Sequence, residues 1–207
     1  MKEKAASSIE SIERMSLEER QKHLESELRE LVSFAYKKAP AIKERFDKAG
    51  IAPSAISTIK DLEKLPIMRK DDLVELHKNN PPFGGLVTVP ITSLERVYVS
   101  PGPIFDPNHQ SKAFWQRIVH VMRGMGFGRG DIVINTWAYN LVPAGLMLDE
   151  ALRRAGATVI PTGVGNTELQ IDVMRRLKVT GYCGTTGFLM NIIKKAEEMG
   201  YDIRRDF

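Results

Sequence analysis

Three stretches of this chain carry residue types that do chemistry. The first is RVYVSPGPIFDP, Arg96 to Pro107. Val97, Tyr98 and Val99 suit a strand, and the Ser, Pro and Gly that follow read as a loop. A loop that grips a triphosphate needs inward-pointing backbone N–H groups, hydroxyls and a cation. Here Ser100 and Gly102 have suitable types, but Pro101, Pro103 and Pro107 each lack an N–H, and Asp106 sets a negative charge where phosphate would sit. The second stretch is the turn Gly163, Val164, Gly165, Asn166, Thr167, which opens a helix whose N–H groups are suited to an anion or simply to a cap. The third is CGTTG, Cys183 to Gly187, where Gly184 and Thr185 fall at the C-terminal end of a strand, the usual ligand side of an open α/β sheet. Trp137 and Tyr139 follow another buried strand.

Other chemistries find little support. His23, His77, His109 and His120 are scattered without metal-ligand spacing, and no G-x-S-x-G turn marks a serine nucleophile, so no metal site and no catalytic residue is assigned. Cys183 is the only cysteine, which rules out an internal disulfide and reads as a small core residue. The net charge is +4, yet Arg123, Arg153, Arg154, Arg175 and Arg176 stand near predicted helix ends, where cations complement the helix dipole. No basic block or aromatic-interleaved ladder appears, so nucleic acid is not an expected partner. No apolar run is long enough for a membrane span and MKEKAASSIESIERM is too charged for a signal peptide, so the expected compartment is the cytoplasm.

The elements that must position these residues follow from periodicity. With 207 residues, 43% of them hydrophobic, the chain can bury a real core. Residues 1–85 read as a helical segment. Ser16 and Glu19 have capping-box spacing, Leu24, Leu28, Leu31 and Ala35 recur at helical intervals up to Pro40, a second helix stops at Gly50, and a third runs from about Lys70 to His77. Residues 86–207 alternate strands and helices: a helix around Phe114 to Met125, the strand DIVINTW, a helix from Pro143 to Arg154 stopped by Gly156, and the strand ATVIP. A helix capped by Thr167 with Gln170, the strand VTGYCG and a helix ending at Gly200 complete the pattern. Successive β-α units imply a doubly wound, mostly parallel sheet. MRGMGFGRG precedes its strand and reads as a helix stop rather than a dinucleotide-binding turn.

Several segments, in matching order over roughly residues 30 to 207, resemble the adenylate-forming enzymes of the phenylacetate–CoA ligase type. KLPIMRKDDLVEL resembles that family's LPFTTKDDLR, GATVIPTGVGNTELQ its GATVIP…GG.TERQ, and YCGTTGFLMNIIKKAEEMGYDIRRDF its ICGTPSY strand and later GYDPRRDF. The resemblance implies an N-terminal half: a partial N-terminal domain whose family joins a carboxylate to AMP from ATP, with Mg²⁺, and then passes the acyl group to coenzyme A. Where the family reads RIHASSGTTGKPT and holds the ATP phosphates, this chain keeps Arg96, Ser100, Gly102 and Pro107 but has Asp106 in place of the lysine, so the phosphate loop is degenerate and ATP binding there is not expected. NTWAYNLVPAGL resembles NAYGYGLFTGG, which makes Tyr139 the acyl-pocket candidate. The family's adenine and ribose contacts and its lysine-bearing lid would lie beyond Phe207, so the chain alone is not expected to complete the reaction. The resemblance leaves two readings: part of a ligase that activates a small, for example aromatic, carboxylic acid, or a non-catalytic scaffold relative, paired with a second chain or with itself as a homodimer. Gly163, Gly165, Asn166, Thr167, Gly184 and Thr185 are the candidate ligand-side turns.

Overall fold

The computed structural model describes residues 9–109 and 111–207. They fall into two compact units, the first ending at His109 and the second covering residues 111–207. Residues 86–109, grouped by sequence pattern with the α/β part, thus fall in the first unit.

The first unit opens with helices α1 (Ile9–Glu13), α2 (Leu17–Lys38) and α3 (Pro40–Ala49). The Ser16 backbone N–H donates to Glu19 Oε2 at 2.8 Å and the Glu19 N–H donates to Ser16 Oγ at 3.3 Å, which is the reciprocal cap read from the spacing. Helix α3 ends on Gly50 at φ 67°, a left-handed conformation that glycine adopts without a Cβ clash. Leu28, Val32, Phe46 and Ile56 form the buried core between these helices. After two 3₁₀ turns, Pro53–Ala55 and Ile59–Lys64, comes α4 (Lys70–Asn79).

The stretch read as a strand and a phosphate-type loop is instead a β-hairpin. Strand β1 (Arg96–Ser100) pairs antiparallel with β2 (Ile104–Asn108), with Tyr98 opposite Asp106 and Val97 opposite Pro107. The connecting turn is reduced to Pro101, Gly102 and Pro103. The physical reason lies in α4. His77 is buried, its Nδ1 accepts the Phe105 N–H at 3.3 Å, and its ring stacks on that of Phe105 at 6.1 Å with Phe83 edge-on at 6.4 Å. The Phe105 amide therefore points away from β1. Backbone amides alternate along a strand, so the nitrogen of Pro107, two residues on, also lies on the outer edge, where its missing N–H removes no ladder bond.

The second unit is a three-layer sandwich. Helix α5 (Lys112–Gly124) leads into β3 (Ile132–Asn135), then α6 (Pro143–Ala155), β4 (Thr158–Pro161), α7 (Thr167–Arg176), β5 (Gly181–Cys183), α8 (Thr186–Glu198) and the short α9 (Ile203–Asp206). The sheet is parallel with order β4-β3-β5, so the chain winds first to one side of β3 and then crosses to the other. One face packs Trp115, Met122, Val133, Ala151, Leu152 and Ala155; the other face packs Tyr182 against Ile171, Ile192 and Ala196. This is the doubly wound arrangement expected from the alternation of elements. Among the described residues, no helix is long and apolar enough to cross a membrane.

One helix start differs from expectation. Asn166, not Thr167, occupies the cap of α7, in the left-handed region at φ 51°, and no side chain caps there. Gln170 turns inward instead, as described below.

Replacing His77 by Ala is expected to lower stability by about 2–3 kcal/mol, because it leaves the Phe105 N–H unpaired and empties the space between two aromatic rings. Urea denaturation followed by circular dichroism measures the loss; an unchanged midpoint would show that the hairpin does not depend on the imidazole.

Candidate functional site

Asn135 ends β3 at the C-terminal edge of the parallel sheet and is completely buried. A buried amide must find partners for both its oxygen and its nitrogen. Its Oδ1 accepts the Trp137 N–H at 3.2 Å, while its Nδ2 donates to the Tyr139 hydroxyl at 2.8 Å and to the Gly145 carbonyl at 3.0 Å. One side chain thus folds residues 136–142 back onto the start of α6. The approach is close: a Cβ on Gly145 would lie 2.3 Å from the Ala138 carbonyl oxygen, so only glycine fits there.

The Tyr139 hydroxyl donates to Asp149 Oδ2 at 3.0 Å, and Arg153 Nε donates to Asp149 Oδ1 at 2.7 Å. Burial, and then the Asp149 carboxylate that accepts from it, push the Tyr139 phenol well above its usual range. Tyr139 is therefore a neutral donor with a fixed ring, not a base. That ring stands beside Gly163: a Cβ added to Gly163 would lie 3.9 Å from Tyr139 Cδ2 and 3.8 Å from the Trp137 carbonyl oxygen.

The turn after β4 is tied to the same asparagine. Gly163 N–H donates to the Asn135 carbonyl at 3.1 Å, and the Thr162 hydroxyl lies 3.2 Å from that oxygen. From below, the buried Gln170 donates through Nε2 to the Gly163 carbonyl at 2.8 Å, with Thr162 Oγ1 at 3.2 Å. This inward role replaces the capping box expected of Thr167 and Gln170. Thr167 and Gly165 carry the chain into α7, whose positive end is already faced by the chain's own Glu168. Lys195 pairs with Glu168 at 2.7 Å and holds its carboxyl below the ordinary value.

After β5 the fit is tighter still. A Cβ on Gly184 would lie 2.1 Å from Thr136 Oγ1 and 2.3 Å from the Tyr182 hydroxyl oxygen. Thr136 Oγ1 lies 3.1 Å from that hydroxyl, which donates to the Thr185 carbonyl at 3.0 Å. Thr185 caps α8, its Oγ1 accepting the Phe188 N–H at 3.2 Å. The neighbouring Cys183 thiol is pushed up by burial, which keeps it in the protonated, unreactive form.

The structure therefore gathers Tyr139, Gly163, Gly184 and Thr185, with Gly165, Asn166 and Thr167 on the same turn-and-helix entry, along one edge of the second unit's sheet. Ser100, Gly102 and Asp106 lie in the hairpin of the first unit, Asp106 on β2. Sequence reasoning missed Asn135, Thr136 and Asp149. Their signals were present: a polar pair closing an apolar strand, and an acid four residues before Arg153 on an otherwise apolar helix face. Among the described residues, no group of three or more His, Cys, Asp or Glu side chains is placed to hold a metal ion.

Gly184→Ala is expected to cost about 1–3 kcal/mol by overpacking, while Gly187→Ala, where nothing stands within 4 Å of the new methyl, is expected to be neutral or slightly stabilising. Thermal denaturation of the two variants checks the contrast. A second expectation concerns alkali. The Tyr139 phenol has a folded pKa above its ordinary value of 10.0, so the unfolded chain loses that proton first and stability falls as pH rises above that value. Below it the contribution is fully present. Urea midpoints measured between neutral and strongly alkaline pH should fall less steeply in Tyr139→Phe than in the unaltered chain; equal slopes would contradict the assignment.

No protein-family model matches the chain. Against curated proteins, it is 29% identical over 200 residues to the phenylacetate–coenzyme A ligase of Aromatoleum evansii, covering 94% of this chain and 44% of that protein. It is 29% identical over 201 residues to the Escherichia coli K12 enzyme of the same name, covering 94% and 45%. Among solved structures, an open conformation of 2-hydroxyisobutyryl-CoA ligase in complex with 2-HIB-AMP and CoA superposes with a TM-score of 0.82 at 25% identity, over 90% of this chain and 42% of that one. The chain thus spans less than half the length of the relatives it matches. Over nearly its whole length the chain is thus similar to part of the phenylacetate–coenzyme A ligases and of 2-hydroxyisobutyryl-CoA ligase.

Proposed function

We propose that this chain is the acyl-facing portion of a carboxylic acid–coenzyme A ligase-like protein, the ligand being a small carboxylic acid of the phenylacetate kind. The observation that supports it is the Asn135–Tyr139–Asp149 chain of hydrogen bonds, which fixes an aromatic wall beside the Gly163 turn at the ligand edge of a parallel sheet. A neutral, immobilised phenol ring suits the apolar body of such an acid, and the rigid turns around it leave little to reorganise on binding.

ATP, Mg²⁺ and coenzyme A belong to the reaction of the family, and the hairpin residues do not fit the nucleotide's phosphates. Its turn offers Gly102 between two prolines without N–H groups, Asp106 brings a negative charge to the adjacent strand, and no lysine stands in this segment. A charge-assisted contact to phosphate contributes about 1.5–3 kcal/mol, and here that contact is replaced by repulsion. No step through ATP is assigned to this chain. The hairpin supports a second reading, in which the protein is a non-catalytic relative that keeps the scaffold and works as one part of an assembly with another chain.

An NMR titration separates the readings. Phenylacetate is expected to shift the amides of Tyr139, Gly163 and Gly184, while Mg-ATP leaves Ser100 and Gly102 unmoved and binds more weakly than about 1 mM. Micromolar Mg-ATP binding with shifts in the hairpin would overturn the reading of the turn. No response to either ligand would leave the scaffold reading standing.

A further inference from the structure

The two kinds of relative differ by a hydroxyl. The phenylacetate–coenzyme A ligases are named for an acid with a hydrocarbon body, and 2-hydroxyisobutyryl-CoA ligase for one that carries an alcohol. Similarity to both does not separate the two chemistries; the hydrogen bonds at the sheet edge do.

A ligand hydroxyl that leaves water for a protein wall needs a partner there, because an unpaired polar group costs more than a made bond contributes. The side chains at the C-terminal edge of the sheet already have theirs. The Tyr139 hydroxyl gives its only proton to Asp149 Oδ2 at 3.0 Å and receives Asn135 Nδ2 at 2.8 Å. Burial, and then that carboxylate, hold the phenol above its ordinary range, so at neutral pH the proton stays on the oxygen. The Thr162 hydroxyl lies 3.2 Å from the Asn135 carbonyl, and the Thr136 hydroxyl lies 3.2 Å from the Cys183 carbonyl. The chain neighbours of this wall, Leu141 and Val164, add only hydrocarbon side chains.

Asp149 controls the wall's one exchangeable proton. It stands half-buried in the middle of α6, and Arg153 Nε holds its Oδ1 at 2.7 Å, which leaves Oδ2 for the phenol. Arg153 also pairs with Glu150, so its own charge does not depend on Asp149 alone. We propose that Asp149 is a positioning residue for specificity: by taking the Tyr139 proton it makes the wall purely apolar, so that carboxylic acids with a hydrocarbon body are accepted and hydroxylated ones are disfavoured. This rests on the reading of Tyr139 as the acyl-facing wall. The discrimination available to a wall without a spare partner is about 10- to 100-fold for one added hydroxyl.

NMR titration of the whole chain with matched acids tests it. Phenylacetate, mandelate and 4-hydroxyphenylacetate share one body, and the last two add a hydroxyl at one end of it or the other. Phenylacetate is expected to bind at least about 10-fold more tightly than either. Asp149→Ala releases the phenol proton, and the preference over at least one of the hydroxylated acids is expected to fall by about 10-fold. Asp149→Asn keeps an acceptor oxygen for the phenol and is expected to keep the preference. If Asp149 were only structural, Asp149→Ala would weaken all three acids alike, and that unchanged ratio overturns the proposal. Should Asp149→Ala not fold, Tyr139→Phe decides. It removes the hydroxyl and supplies no new partner, so the preference is expected to persist, and a selective loss of the hydroxylated acids would show that the native hydroxyl serves the ligand. Equal affinity for the three acids in the unaltered chain overturns the proposal and leaves the wall standing; binding of none of them overturns both.

Discussion

The second unit depends on satisfying one buried amide. Asn135 closes β3 at the C-terminal edge of the sheet, and every hydrogen-bonding group on its side chain is engaged. In a low-dielectric interior, an unpaired amide would cost far more than the net value of its bonds, so the loop after β3 has little freedom to be anything but what Asn135 dictates. Trp137, Tyr139 and Gly145 take their places from it, and its backbone carbonyl reaches across to fix the turn after β4. The positions of three separate segments reduce to one residue at the end of one strand.

This ordering explains why the edge needs glycines. Gly145 and Gly184 are sites where a methyl group would meet backbone oxygen or a hydroxyl at little more than 2 Å, and Gly163 takes a left-handed turn beside the Tyr139 ring. The edge is closely packed rather than open, and its rigidity comes from hydrogen bonds that run between strands. Asp149 and Arg153 extend the same network outward along α6, so the phenol is oriented by an ion pair at the helix surface.

Much of the fold was legible because glycine, proline and capping residues punctuate the chain at the ends of apolar runs. Ser16 with Glu19, Gly50, Pro143 and Gly156 all mark boundaries the structure keeps. The hairpin was not legible. Three prolines in RVYVSPGPIFDP argue for a loop, and only the position of His77, some thirty residues earlier, shows that Pro107 sits on an outer edge where strands tolerate it. Thr167 and Gln170 misled for a related reason: capping spacing is a local signal, and burial of Gln170 under the Gly163 turn is a tertiary one that overrides it. Tyr139 and the glycine turns could be picked out as candidates, whereas Asp149 becomes meaningful only once α6 folds back over the loop.

The attachment of the hairpin to α4 has a consequence for the chemistry open to the first unit. An imidazole that accepts a proton from solvent or substrate, or that coordinates an ion, does so through an unprotonated ring nitrogen. In His77 that nitrogen, Nδ1, already receives the Phe105 amide, which leaves the opposite nitrogen carrying the ring hydrogen. The most deeply placed histidine of the chain is thereby withdrawn from service as a base or ligand, and works as a fastener between helix and ribbon.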